Sequence, residues 1–180
     1  MTKRVVSIIC LLTVCLVGWA RELKHSFIDD FRAGKLTWNA NYKIGYYDDG
    51  TVYTCMRNAT FTSQFYNNEL YYCIQLPQYD SVIVSPARVT LSELEIYLMG
   101  AVDLAISVST DSVTWVPIGS VGSYDSKNKK WWWKSIDGNY YVSIKNLSAP
   151  DAYIRKIDYT LSDAPDPEPE TCNCFPVVFE

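Results

Sequence analysis

After residue 20 the chain has no stretch of helical period, only short runs of strand-forming residues broken by Asn, Asp, Gly and Pro. This punctuation constrains the fold more than any other feature. The runs are residues 51–57, 59–66, 69–76, 81–85, 91–99, 103–109, 114–118, 131–135, 140–144 and 153–161. The pair Asn67-Asn68 closes one, and Pro77 and Pro86 close two others. Runs this short, with no helices between them, argue against alternating β and α units and for packed sheets. Alternation then assigns faces. Leu94, Ile96 and Leu98 share one side of their strand, and Glu93, Glu95 and Tyr97 the other. Leu104, Ile106 and Val108 form a second apolar stripe, and Ile157, Tyr159 and Leu161 a third. Strands with one core face and one wetter face build an antiparallel, two-sheet β-sandwich.

The ends differ from this body. Thr2-Lys3-Arg4 is basic, residues 5–17 are apolar but for Ser7 and Thr13, and Gly18-Trp19-Ala20 offers small residues where a signal peptidase cuts. Residues 1–20 are therefore expected to be a secretory signal peptide, and residues 21–163 the β-sandwich domain. The protein is expected to be secreted, or held at the cell surface or in the periplasm. No later segment approaches the ~20 apolar residues of a membrane helix. Residues 164–180 form an acidic, proline-rich linker (Ala164-Pro165-Asp166-Pro167-Glu168-Pro169-Glu170) and a tail with Cys172-Asn173-Cys174. Four cysteines remain after Ala20, and an exported chain permits disulfides; Cys55 with Cys73 is the pairing expected first, since both lie in strand-like runs. The net charge of −4 leaves no basic face for nucleic acid.

The residues that carry chemistry are aromatic and acidic. Trp131-Trp132-Trp133, set among Lys127, Lys129, Lys130 and Lys134, is the least ordinary segment. In a strand Trp131 and Trp133 share one face and Trp132 takes the other. Flat indoles on an outer face stack on sugar rings, and lysines orient an anionic ligand or cover the rings. Tyr140 and Tyr141 follow the Asp137-Gly138 turn signal and are expected on a hairpin partner of the tryptophan strand. Trp131, Trp133, Tyr140 and Tyr141 thus form the expected platform. Glu93 and Glu95 project together, about 6.6–6.8 Å apart by strand rise, within the roughly 5–9 Å of a glycosidase acid–base pair. They are the basis of an alternative reading as a small glycoside hydrolase. The sole histidine, His25, sits near the expected mature terminus, where fraying denies it a catalytic role. Asn58-Ala59-Thr60 and Asn146-Leu147-Ser148 are glycosylation sequons.

Several segments together resemble the galactose-binding-like jelly-roll modules of secreted bacterial proteins that bind carbohydrate or mediate adhesion. Phe27-Ile28-Asp29-Asp30-Phe31 with Gly34-Lys35-Leu36 and Trp38 is similar to their opening strand. Val82-Ile83-Val84-Ser85-Pro86 before Leu91-Ser92-Glu93-Leu94 resembles their centre, and Ile106-Ser107-Val108-Ser109-Thr110-Asp111 with Trp115 and Ile118 a hairpin common there. Tyr153-Ile154-Arg155-Lys156-Ile157-Asp158 resembles their closing strand, with Arg155 and Lys156 where these modules often carry an Asp. The resemblance spans most of residues 27–161. It implies a jelly-roll sandwich, adds Trp115 to the ligand-binding set, and implies a structural calcium ion near the first and last strands, for which Asp29, Asp30 and Asp158 are the candidate ligands, with Asp48 and Asp49 further oxygen donors. The function expected is non-catalytic binding of a glycan or a surface protein. The alternative of another class is a structural subunit of a surface assembly, built on the linker and Cys172-Asn173-Cys174.

Overall fold

The computed structural model describes residues 21–85, 90–100, 102–118, 123–134 and 141–162. Residues 1–20, expected as a signal peptide, Tyr140 and everything after Ser162, including the expected linker and Cys172-Asn173-Cys174, lie outside the described residues.

Two antiparallel sheets of seven strands pack face to face. Sheet I runs β11 (Ser123–Asp125), β12 (Lys130–Lys134), β8 (Thr90–Leu98), β14 (Ala152–Ser162), β6 (Glu69–Leu76) and β5 (Thr60–Tyr66), with β1 (Arg21–Ser26) also paired to β14. Sheet II runs β10 (Val116–Ile118), β9 (Leu104–Ser109), β13 (Tyr141–Asn146), β7 (Ser81–Ser85), β4 (Val52–Cys55), β3 (Ile44–Tyr47) and β2 (Leu36–Asn39). The chain changes sheet from β1 to β2, from β4 to β5, from β6 to β7, from β7 to β8, from β8 to β9, from β10 to β11, from β12 to β13 and from β13 to β14. It is an antiparallel two-sheet β-sandwich, as the alternation predicts, of the jelly-roll type that the resemblance implies. The stripe Leu94, Ile96 and Leu98 of sheet I faces Ile106, Val142 and Ile144 of sheet II in one continuous core. Burial of this apolar surface, at ~25 cal/mol per Å², supplies the main driving force.

Local structure departs from expectation in several places. Phe27–Arg32 is a short helix, α1, rather than a strand. Asp29 and Asp30 occupy its first turn, where a carboxylate suits the helix dipole, and Phe27 and Asp30 bury one face. β12 and β13 do not form a hairpin, since β12 pairs with β8 in sheet I and β13 with β7 and β9 in sheet II. The Asp137-Gly138 signal is local, and the core stripe on each strand decides the sheet. His25 is not frayed: β1 pairs with β14 over its whole length, and His25 is 3% exposed.

The expected Cys55–Cys73 bridge is not formed, and both cysteines are free and buried. Cys55 joins the central core from sheet II, whereas on β6 it is Ile74 that enters the core and its neighbour Cys73 takes the opposite side of sheet I. Burial pushes each thiol up to about 12, which leaves both inert. The sequons also separate. Asn58 is exposed, but Asn146 is fully buried and donates its amide hydrogens to the carbonyls of Leu76 (3.0 Å) and Pro150 (2.9 Å).

Candidate functional site

The register of β12 against β8 decides which tryptophans meet solvent. Trp131 lies opposite Ile96 and Trp133 opposite Leu94, so both turn to the core side. Trp133 is 3% exposed. Trp131 is half-buried; its indole N–H donates to the Val102 carbonyl at 2.8 Å, and its ring stacks on Trp133 with centroids 5.8 Å apart. Of the expected platform, Trp131 and Trp133 turn to the core side and pack there, although Trp133 also lines the cleft described next. Trp132 faces outward, opposite Glu95 on β8 and Ser123 on β11. Tyr141 stands on β13 in the other sheet, and Trp115, in the turn before β10, does not line the cleft described next.

On the outward face of sheet I an open cleft of about 340 Å³ is lined by Trp132, Glu93, Glu95, Asp125, Lys130 and Trp133. Alternation delivers these groups. The core stripe of β8 forces Glu93, Glu95 and Tyr97 outward, and the paired strands add Trp132, Lys130 and Asp125. Glu95 accepts from Lys130 Nζ at 2.7 Å and from the Tyr97 hydroxyl at 2.9 Å. Burial alone would raise the Glu95 pKa, but these two donors outweigh it and hold the carboxylate below its usual range. Asp125 is fixed by the Asn128 side chain (2.7 Å) and by the backbone N–H groups of Lys127 and Asn128. The cleft thus presents an aromatic edge or face beside fixed acceptors and one ammonium donor. A glycosidase pair needs one carboxyl that keeps its proton, and Glu95, held in its charged form, is unsuited to that role.

A second polar cluster lies on the inner side of sheet I. His25 Nε2 meets Asp49 Oδ2 at 2.7 Å, and Nδ1 meets the hydroxyls of Tyr53 (2.8 Å) and Tyr159 (2.7 Å). The ring stacks on Tyr47 at 3.7 Å. A neutral imidazole then donates from Nε2 to the carboxylate and accepts a phenol proton at Nδ1. The two phenols also bond each other. Both ring nitrogens are occupied and the imidazole is buried, so His25 ties β1 to β4, β14 and the turn that carries Asp49.

The aspartates expected to bind calcium are not brought together. Asp29 is exposed and accepts from Ser26 Oγ at 2.7 Å. Asp30 is buried in α1, and Asp158 lies across from Lys24 and binds Lys156 Nζ at 2.7 Å. Asp49 is committed to His25, and among the described residues no group of three His, Cys, Asp or Glu side chains has the disposition of a metal site. These residues do not fit a calcium ion.

No protein-family model matches the sequence, and neither does any curated protein. Several solved structures are similar, three of them as follows. One is CpGH89CBM32-6 produced by Clostridium perfringens: 14% identity, 61% of this chain and 97% of that one, TM-score 0.38. The second is CpGH89CBM32-5 from the same organism, in complex with GalNAc-β-1,3-galactose: 14% identity, 78% and 94% coverage, TM-score 0.38. The third comes from work on the Ruminococcus flavefaciens cellulosome and its expansion in glycan recognition: 12% identity, 82% and 99% coverage, TM-score 0.40. Similarity of this degree transfers no ligand and no site residue to this chain. No helix among the described residues is long and apolar enough to cross a membrane.

Proposed function

We propose that this domain is an exported, non-catalytic glycan-binding module whose ligand lies on the outward face of sheet I. The observation that carries this reading is the cleft in which Trp132 shares a surface with Glu93, Glu95, Asp125 and Lys130. A pyranose ring has an apolar C–H face and a rim of hydroxyls. An indole takes the first, while carboxylates accept from the second and an ammonium donates to it. The groups that would bind are held by the sheet, so little order has to be created on binding. The basic and apolar start of the chain supports export.

The test is a glycan array on the purified protein, followed by calorimetry of the strongest hit against wild type and Trp132→Ala. Aromatic anchors of this kind contribute about 2 kcal/mol or more, roughly thirtyfold in Kd. Loss of binding by Trp132→Ala at an unchanged melting temperature is expected. Undiminished binding by that variant, or an array with no hit, overturns the reading.

A further inference from the structure

The outward face of sheet I also holds a cationic feature apart from the cleft. In β14, Ile154 pairs with Leu98 and Lys156 with Tyr97, so Arg155 is an extra residue inserted as a β-bulge. Ile154 and Ile157 are both fully buried. A regular strand would send one of the two residues between them inward. The bulge turns Arg155 and Lys156 outward together, and bulges re-aim side chains in this way at functional surfaces. Their charges sit over one ring: the Arg155 guanidinium is 5.6 Å and Lys156 Nζ 4.6 Å from the Tyr97 centroid. Lys130 Nζ approaches the same ring at 5.5 Å from the other side.

The ion pairs on this face single out Arg155. Lys130 is bound to Glu95, Lys156 to Asp158 and Lys24 to Glu22. Arg155 has no carboxylate within ion-pair distance among the described residues; its guanidinium lies over the Tyr97 ring and near enough to the Tyr71 hydroxyl to act on it. A guanidinium is a planar fork that matches the two oxygens of a carboxylate or sulfate, and it is weakly hydrated enough to give up water for them. Two strand spacings across and two residues along separate Arg155 from Trp132, which makes roughly 12 Å. One sugar ring cannot touch both, whereas an oligosaccharide can.

We propose that the face selects acidic glycans, with one ring stacked on Trp132 and the carboxylate or sulfate of a nearby sugar held by Arg155 beside Lys156. The proposal rests on the glycan-binding reading above. The protein's net charge of −4 does not draw such ligands from a distance, so the selection is local and made at contact.

The experiment titrates the protein with an oligogalacturonate, a chondroitin sulfate oligosaccharide, unsulfated chondroitin and a neutral galactan oligosaccharide. Wild type, Arg155→Gln, Arg155→Lys and Trp132→Ala are compared, each with its melting temperature. At least one acidic oligosaccharide should bind about tenfold tighter than the neutral one, and Arg155→Gln should erase that margin. Arg155→Lys should restore part of it, since the charge returns without the fork. Tighter binding of the sulfated chain than of its unsulfated counterpart assigns the anion to sulfate; equal binding of those two, with the uronate margin intact, assigns it to carboxylate. Equal binding of acidic and neutral chains, or a margin that survives Arg155→Gln, overturns this inference. If neutral binding remains sensitive to Trp132→Ala, the glycan-binding reading stands without it. No binding by any of the four removes both.

Discussion

β14 supplies residues to two clusters of aromatic and charged groups, one on each side of the same sheet. Outward, Asp158 and Lys156 stand beside Tyr97, Glu95, Lys130 and Trp132. Inward, Tyr159 meets His25, Tyr53 and Asp49. The residue types are alike and the behaviour is not. Inside, short rigid side chains hold His25, Asp49, Tyr53 and Tyr159 on fixed partners, and the imidazole is stacked and bonded at both nitrogens. Outside, the Lys130–Glu95 pair stays partly open to water, where such pairs contribute about 0–1 kcal/mol. A pair of that kind can be exchanged for a ligand at small cost. The inner cluster can be opened only by unfolding the domain around it.

The largest difference should appear between two neighbours in sequence. Trp133→Ala removes a core indole and should cost about 3–5 kcal/mol by urea denaturation. Trp132→Ala, one residue earlier, should cost below about 1 kcal/mol and affect binding instead. Equal losses in the two variants would break the assignment of faces. A smaller contrast concerns the polar groups. His25→Ala leaves Asp49 and two phenols short of a partner and should cost about 3 kcal/mol. Lys130→Ala, which breaks the outer Glu95 pair, should cost about 1 kcal/mol or less. A Lys130 variant as unstable as the His25 variant would show that the outer pair also holds the fold together.

Much of this was legible in the chain. Alternation at residues 93–98 and 104–108 gave strands and faces directly, because an apolar stripe can go only to the core. The opposition of Trp132 to Trp131 and Trp133 was legible too. Which side met solvent was not, since that depends on register with β8, a partner more than thirty residues away. The hairpin placement expected of Tyr141 failed for the same reason, and His25 was misplaced because its partners lie on β4 and β14 and in the turn before β4. The bulge did leave a trace: apolar residues at 154, 157 and 159 break an otherwise two-residue rhythm. A step of three within a strand is a local sign that two neighbours share a face, and here those neighbours are Arg155 and Lys156.

The smallest effect tests the inner cluster through protons. Burial would raise the pKa of Asp49, but the hydrogen bonds from His25 and Thr51 outweigh it and hold the carboxyl at about 2, below the ordinary 3.8. A group with a depressed folded pKa stabilises the fold fully above its unfolded value. That contribution fades as pH falls from about 4 towards 2, where the native carboxylate is finally protonated. Asp49→Asn should therefore lower stability at pH 6 and flatten the decline between pH 4 and 2, so the two curves converge in acid. Urea midpoints of both proteins measured over that range would show it. Glu95→Gln should flatten the decline less, since its partners stand at a wetter surface. Parallel curves for wild type and Asp49→Asn would mean that the carboxylate is as free in the folded protein as in the unfolded one, and that the His25 cluster is held by packing rather than by its charge.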